Sequence, residues 1–582
     1  MPPEPEDPGP RRILLAALAC GLLALAALEP PEVHAWSRAA CKVLLATAAC
    51  LLLPRRAGEP RWLPRWTWGL LPFATAAVYS ASSRARAFDE ASDAVALVLA
   101  AVLGRAIAAD ARARDVLSRL LVALACVAAL LAIVQHHATY PIEARALRSG
   151  QEEASAYVLA RLEAGRPSGR FTLPAALGGF LALTLPMTLA WAGRGGRAQS
   201  RAALILAALL QVYALVLTSS VGALFATAVS LFLVLPVLSR RRVALLRGAL
   251  AAAAIAGVAL FLHARRQEIA APGGDPLLLR AGNWAVAAEM IRDHPLFGTG
   301  PGSFGTFYPR YMRTGMNETR YAHNSYLQVL SGWGAWGVVP LLALLIAVSG
   351  RLRAAWRAAG DDRSSLAAGA GFLAHNLIDF TSFLPGVAIP AAMLLGIGLE
   401  GGTRARGDSP GARAVGAVPS PHGVASAGRA IDRPPRALAT LLVFGGAMVF
   451  VAQAAVSARS QILLEKASAA AEEGDIRGSL ELARAAARVR PEDEAPRAFI
   501  AEWVLAHGMS DPGLKREGDR AAVRALTLNP ESAILHFTAS RYHDAAGESA
   551  DAYRELRTAH VLFPIKDLYR LGAGKAGEKG AP

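Results

Sequence analysis

Residues 280–340 read RAGNWAVAAEMIRDHPLFGTGPGSFGTFYPRYMRTGMNETRYAHNSYLQVLSGWGAWGVVP. Apolar segments precede and follow this stretch, which belongs to the longest interruption between them before the C-terminal tail. It opens as an amphipathic helical pattern, crosses a Gly/Pro/aromatic loop and re-enters an apolar segment directly after His323-Asn324. Polar groups where a chain dips back toward a lipid phase are costly unless they have work to do. Helical spacing puts Trp284, Ala287, Ala288 and Ile291 on one face, with Arg280 one turn earlier on the same side. A guanidinium there must snorkel or hold an anion, and its planar fork suits phosphate oxygens. His294-Pro295 predicts the helix end, because the residue before proline avoids the α region. Gly298, Gly300 and Gly302 then predict a backbone able to approach a ligand closely.

Composition sets the class around that stretch. The 582 residues are 54% hydrophobic and only 18% charged, too little charge to cover a soluble chain of this size. The reading is all-α: a polytopic transmembrane helical bundle of about twelve spans plus one, then a soluble helical domain. Spans are expected near 12–29, 38–54, 65–82, 92–109, 117–136, 171–192, 202–220, 221–238, 246–264, 326–348, 364–383 and 385–402, with a thirteenth at 437–457. Cys20, Cys41, Cys50 and Cys126 all fall in spans without metal-ligand spacing.

The net charge of +16 sits largely in short segments between spans, so membrane topology accounts for it and nucleic acid is excluded as a partner. Arg11-Arg12, Arg55-Arg56, residues 111–115, 193–201, 239–242 and 350–357 fall on one side if the N-terminus is cytoplasmic. The first apolar run carries no small-residue cleavage site, which predicts an uncleaved first span with that orientation. The long loops 137–170 and 265–325 then face the opposite compartment.

Residues 1–402 form the expected membrane domain. Residues 403–436, rich in Gly, Pro, Ser and Arg, read as a flexible cytoplasmic linker. A span at 437–457 returns the chain to the far side, where 458–582 becomes charge-mixed and helical. Pro491, Pro530 and Pro564 each close a helix pair, and the second interval matches the tetratricopeptide period. Such pairs stack into surfaces that bind protein segments, which predicts a protein partner for the tail.

Taken together, Arg280, Trp284, His294-Pro295, Gly298-x-Gly300, Phe304 and His323-Asn324, followed after nine residues by Gly334-Ala-Trp-Gly337, resemble the O-antigen ligase/polymerase superfamily. RPSGRFTLPAALGGFLAL (166–183) is similar to its Arg-x-x-Gly-x-Phe segment, and AHNLIDFTSFLPG (374–386) to its His-x-x-x-Asp span. LTSSVGALFA (217–226) resembles its Thr-x-Ser-Arg-Gly segment, but Val221 stands where an arginine is common. The resemblance implies a bacterial inner-membrane glycosyltransferase with its loop and C-terminal domain periplasmic. It would move a glycan from a polyprenyl diphosphate carrier to a glycan or lipid acceptor, as a ligase or as a polymerase. It implies inverting transfer by direct attack; no Asp-x-Asp pair marks a metal site in the outer loops, so neither metal nor cofactor is expected.

Such a transfer needs a cation for the leaving diphosphate, a base titrating near neutrality and an apolar groove for the lipid. The expected catalytic residues are therefore His323 as base and Arg280 as diphosphate anchor. Arg166 or Arg170 would supply a second charge, and Asn324, Trp284, Gly298 and Gly300 would complete the substrate site. The simpler alternatives are an interfacial cap for His323, an interfacial anchor for Arg280, a flanking role for Arg265-Arg266 and a satisfied intramembrane pair for His375 and Asp379. Gly334 and Gly337 can equally serve close helix packing. A transporter, the competing class, should show polar residues recurring near mid-span. Most spans here are Ala, Leu and Val, and the polar cluster lies in the loop.

Overall fold

The computed structural model describes residues 9–53, 71–149, 156–193, 197–234, 276–357, 363–400 and 436–569. Every regular element among them is a helix. The expected span 246–264, the linker 403–436 and Arg265-Arg266 lie outside the described residues, as does part of 65–82.

The bundle comprises α1 (Pro10–Leu28), α2 (Ala35–Leu51), α3 (Leu71–Ser80), α4 (Arg84–Ile107), α5 (Ala111–Val134), α6 (Tyr140–Arg148), α7 (Ala156–Glu163), α8 (Pro174–Gly193), α9 (Ala198–Leu217) and α10 (Val221–Val234). Further along the chain come α11 (Pro276–Asp293), α12 (Phe304–Tyr311), α13 (Ser325–Trp333), α14 (Ala335–Arg357), α15 (Arg363–His375) and α16 (Pro385–Glu400). Among the described residues, six helices are long and apolar enough to cross a membrane: Pro10–Leu28, Ala111–Arg148, Pro174–Gly193, Ala198–Leu217, Ala335–Ala354 and Val443–Glu472. The core is built where α1, α2, α4, α5, α8, α9, α10, α15 and α16 meet through Ala, Leu and Phe side chains. Lys42, buried between α2 and α4, is compensated there by Asp93 at 2.8 Å.

Two expected spans are broken. The 326–348 segment divides at Gly334, whose left-handed φ of 64° no helix tolerates. The 364–383 segment stops at His375, because the Asn376 amide donates to the Phe372 carbonyl and the chain turns before a 3-10 turn at Thr381–Phe383. Apolar composition continues through both breaks, so hydropathy did not register them.

Polar groups divide between the two ends of the bundle. At one end Arg11 donates to the Leu51 carbonyl, Arg105 pairs with Glu400 at 2.9 Å, and Arg351 donates to the Gly398 carbonyl. At the other, the Gly386 amide donates to Glu32 and Arg170 pairs with Glu29 at 2.5 Å. The loop after α11 lies at this second end.

The tail lies there too. Helix α17 (Arg436–Glu472) is one continuous element, so the chain runs from the expected span at 437–457 into the tail without a break. It packs along α2 and is followed by α18 (Ile476–Val489), α19 (Ala495–His507), α20 (Pro512–Leu528), α21 (Ala533–Ala546) and α22 (Ser549–Leu562). Consecutive helices pair antiparallel, and the second member of each pair ends just before Pro491, Pro530 or Pro564. Leu556, Leu562, Phe563 and Tyr569 share one core with Val286, Met290, Phe304, Phe307 and Tyr308 of the loop region. Burying each large side chain contributes about 1.5–3 kcal/mol. Arg490, 5% exposed, bonds Asp89 at 2.8 Å and the Ala85 carbonyl at 2.9 Å. Glu494 accepts from Ser83 and pairs with Arg86, each at 2.8 Å. The tail is thus fastened to the first turns of α4 and to the loop.

Candidate functional site

Helix α11 brings Arg280 and Trp284 to the segment that carries His323. Its buried face is Asn283, Val286, Ala287 and Met290, rotated from the expected stripe, and Ala288 is exposed. The polar Asn283 hid that face from a hydrophobic count. Its side chain accepts a 2.6 Å hydrogen bond from the buried Tyr308 hydroxyl. Trp284, half-buried, donates its indole N–H to the His323 carbonyl at 3.3 Å, so α11 fixes the backbone that presents the imidazole.

His323 has φ 53° and Ser219 φ 49°. Among the described residues these are the two non-glycine positions in the left-handed region, a conformation costing of order 1–3 kcal/mol. The His323 ring stands edge-on to Phe380 at 4.8 Å, and its buried Nδ1 has no hydrogen-bond partner. Burial holds its pKa below the ordinary histidine value; the nearby Asp379 carboxylate opposes that shift and the Arg280 guanidinium reinforces it. A neutral imidazole with an unpartnered nitrogen can accept a proton. Arg280 Nε is likewise buried without a partner.

Asn324 caps a helix. Its side-chain oxygen accepts from the Tyr326 and Leu327 amides at 3.0 and 3.1 Å, capping α13. The next residue, Ser325, ties that cap to α15: its amide bonds the Asn376 and Asp379 carbonyls, and its hydroxyl bonds the Asn376 side chain at 2.6 Å. His375 lies opposite Asp379 at 3.7 Å and packs between Gly179 and Gly222. At that distance the expected satisfied pair does not form, and His375 Nε2 has no hydrogen-bond partner; the Asp379 carboxylate also lies near His323. Sequence reasoning left Asp379 out of the site; the His-x-x-x-Asp spacing was the available signal.

Gly298 and Gly300 face protein. A Cβ on Gly298 would meet the Gly332 backbone at 2.5 Å, and one on Gly300 would meet Ala81 at 2.4 Å. The Gly334 position is as tight, 2.3 Å from the Leu296 carbonyl oxygen. These glycines let the loop lie against the end of α13, where the Thr299 amide donates to the Ser331 carbonyl at 2.8 Å. Gly298 and Gly300 thus pack against the protein's own chain.

The two candidate second cations separate clearly. Arg170 donates to the Leu28 carbonyl and pairs with Glu29. Arg166 donates to the Thr218 and Ser219 carbonyls at 3.0 and 3.4 Å, beside the position where Val221 replaces the expected arginine. A π-turn at Gln135–Thr139 holds the Arg166 segment from both sides. Gln135 accepts from the Ser168 and Gly169 amides at 2.9 Å each, and His136 Nδ1 lies 2.5 Å from the Gly165 carbonyl. No periodicity announces such a clasp.

Of possible metal ligands, His543, Glu548 and Asp551 come within reach of one another at the α21–α22 turn. His543 and Glu548 already bond each other at 2.7 Å.

The fold and this centre define a polytopic helical membrane protein with an imidazole and a guanidinium gathered at one end of its bundle. Residues 206–342 match the protein family described as O-Antigen ligase, which supports placing the chain in the O-antigen ligase/polymerase superfamily. The matched stretch contains Ser219, Arg280, Trp284, His323, Asn324 and Gly334; Arg166, His375 and Asp379 lie outside it. A search of curated proteins found no match. The family match supports an O-antigen ligase/polymerase-like activity in general.

Proposed function

We propose that the protein is a glycosyltransferase of the O-antigen ligase type acting at the periplasmic face of a bacterial inner membrane. An acceptor hydroxyl attacks the anomeric carbon of a carrier-linked glycan, and the carbon–oxygen bond to the diphosphate breaks with inversion. The hydroxyl proton passes to the His323 imidazole, and polyprenyl diphosphate departs. Arg280 takes the developing negative charge, with Arg166 as the second cation; the transfer uses no metal. Charge placed in advance at a leaving group lowers the barrier by several kcal/mol, about that of one oxyanion contact. Asn324 acts through its cap, and Trp284 through the His323 carbonyl. A polymerase differs only in taking another carrier-linked unit as acceptor.

The observation that carries this reading is the buried His323, whose Nδ1 has no hydrogen-bond partner, beside Arg280 and Asp379. Arg11, Arg105 and Arg351 at the opposite end of the bundle support a cytoplasmic assignment for that end. The tail reads as a tetratricopeptide-like domain on the periplasmic side; a protein partner would have to use the surface its loop contacts leave open. Surface-glycan profiling of a deletion strain carrying His323→Ala tests the assignment. Long-chain glycan is lost while the protein stays inserted and abundant; a normal glycan profile refutes the base. Reporter fusions placing 276–325 in the cytosol would refute the orientation.

A further inference from the structure

A cavity of about 810 Å³ lies between the loop, the first turn of α4 and the tail helices. Its walls carry the guanidinium groups of Arg84, Arg310 and Arg524, the carboxylates of Glu492 and Glu531, and the face of Phe307. The buried Ser82 hydroxyl also lines it and has no hydrogen-bond partner. Arg310 pairs with Glu531 and lies 5.4 Å from the Phe307 ring centre. His294, at the edge of this space, is about 21 Å from Arg280 along α11, given the α-helical rise per residue. The cavity is therefore separate from the His323 centre but joined to it by one rigid helix.

We propose that this cavity binds a short run of sugar units, the part of the glycan extending away from the reacting carbon. The volume falls in the range of small-ligand sites. Guanidinium and carboxylate groups side by side donate to and accept from vicinal hydroxyls. The tail then serves as the second wall of a glycan channel whose first wall is the loop. The choice of a saccharide rests on the transferase reading; the binding measurement below does not.

The test uses the full-length protein in detergent and fluorescently end-labelled oligosaccharides released by mild acid from the host's own envelope polysaccharide. Saturable binding is expected, and Arg524→Ala and Thr527→Trp should each weaken it at least tenfold, with the tail's thermal transition unmoved. Arg524 and Thr527 are exposed on α20, so both variants should fold. With long-chain substrate the same variants should raise KM and leave kcat unchanged. His323→Ala should bind the oligosaccharides like the parent. Absence of binding by the parent protein, or full binding by both cavity variants, overturns the inference. Normal transfer by His323→Ala would instead overturn the base assignment and leave the cavity result standing.

Discussion

Two polar regions lie at the same end of this bundle and are built on opposite principles. Where the tail meets α4, Arg490 is bonded to Asp89 and the Ala85 carbonyl, and Glu494 to Ser83 and Arg86. At the His323 centre, Arg280 Nε, His323 Nδ1 and His375 Nε2 are buried with no hydrogen-bond partner, and His323 sits on a strained backbone. Buried polar groups ordinarily find partners, so a cluster that lacks them is held by its surroundings for something else. The first region fastens the molecule together; the second is the one we propose receives the substrate.

The contrast can be broken most forcefully at the joint. Arg490→Ala leaves Asp89 without its main cation and should cost about 3–5 kcal/mol, read as early proteolytic release of the tail in limited digestion. An unchanged digestion pattern would mean that the shared apolar core alone holds the tail. At the centre, Arg280→Ala should lower the transfer rate about 10²- to 10³-fold without altering thermal stability, since no native hydrogen bond of its Nε is lost. Arg280→Lys should recover only part of the rate, because a point charge lacks the bidentate fork.

Smaller effects sharpen the division. Asn324→Ala removes a helix cap worth about 1 kcal/mol and should reduce activity through misplacement of His323, while Asn324→Ser retains most of both. A direct substrate contact by Asn324 would instead leave the serine variant as impaired as the alanine. The pH dependence is the mildest test. The folded pKa of His323 is depressed, so the base stays neutral, and its contribution to stability stays complete, above the ordinary histidine value near 6.5. Both are lost as pH falls through the lower folded value. The acid limb of the rate profile should therefore lie below pH 6.5, and Asp379→Asn, removing a charge that favours protonation, should move it lower still.

Much of the architecture was legible because lipid imposes long apolar runs, and α1, α5, α8 and α9 follow from them directly. The breaks at Gly334 and after His375 were not, since one left-handed glycine and one side-chain-to-backbone bond leave hydropathy unchanged. In the tail, prolines marked the helix-pair ends because proline cannot continue a helix, but the Arg490–Asp89 joint spans 401 positions and no local pattern encodes it. At the centre, His323, Arg280 and Trp284 were visible as polar or aromatic residues out of place. Asp379 was marked by its spacing from His375, but its approach to His323 and the Gln135 clasp come from tertiary packing. Gly298 and Gly300 stand out in the sequence as glycines, but their close packing against Gly332 and Ala81 comes from tertiary structure.

The central claim is that His323 takes a proton while Arg280 stabilises a departing lipid diphosphate. Purified protein in vesicles, supplied with carrier-linked glycan and acceptor, allows carrier binding and single-turnover release of polyprenyl diphosphate to be followed separately. The account predicts that His323→Ala binds the carrier normally and releases almost none, whereas Arg280→Ala loses binding and release together. Release at the parent rate by His323→Ala would contradict it.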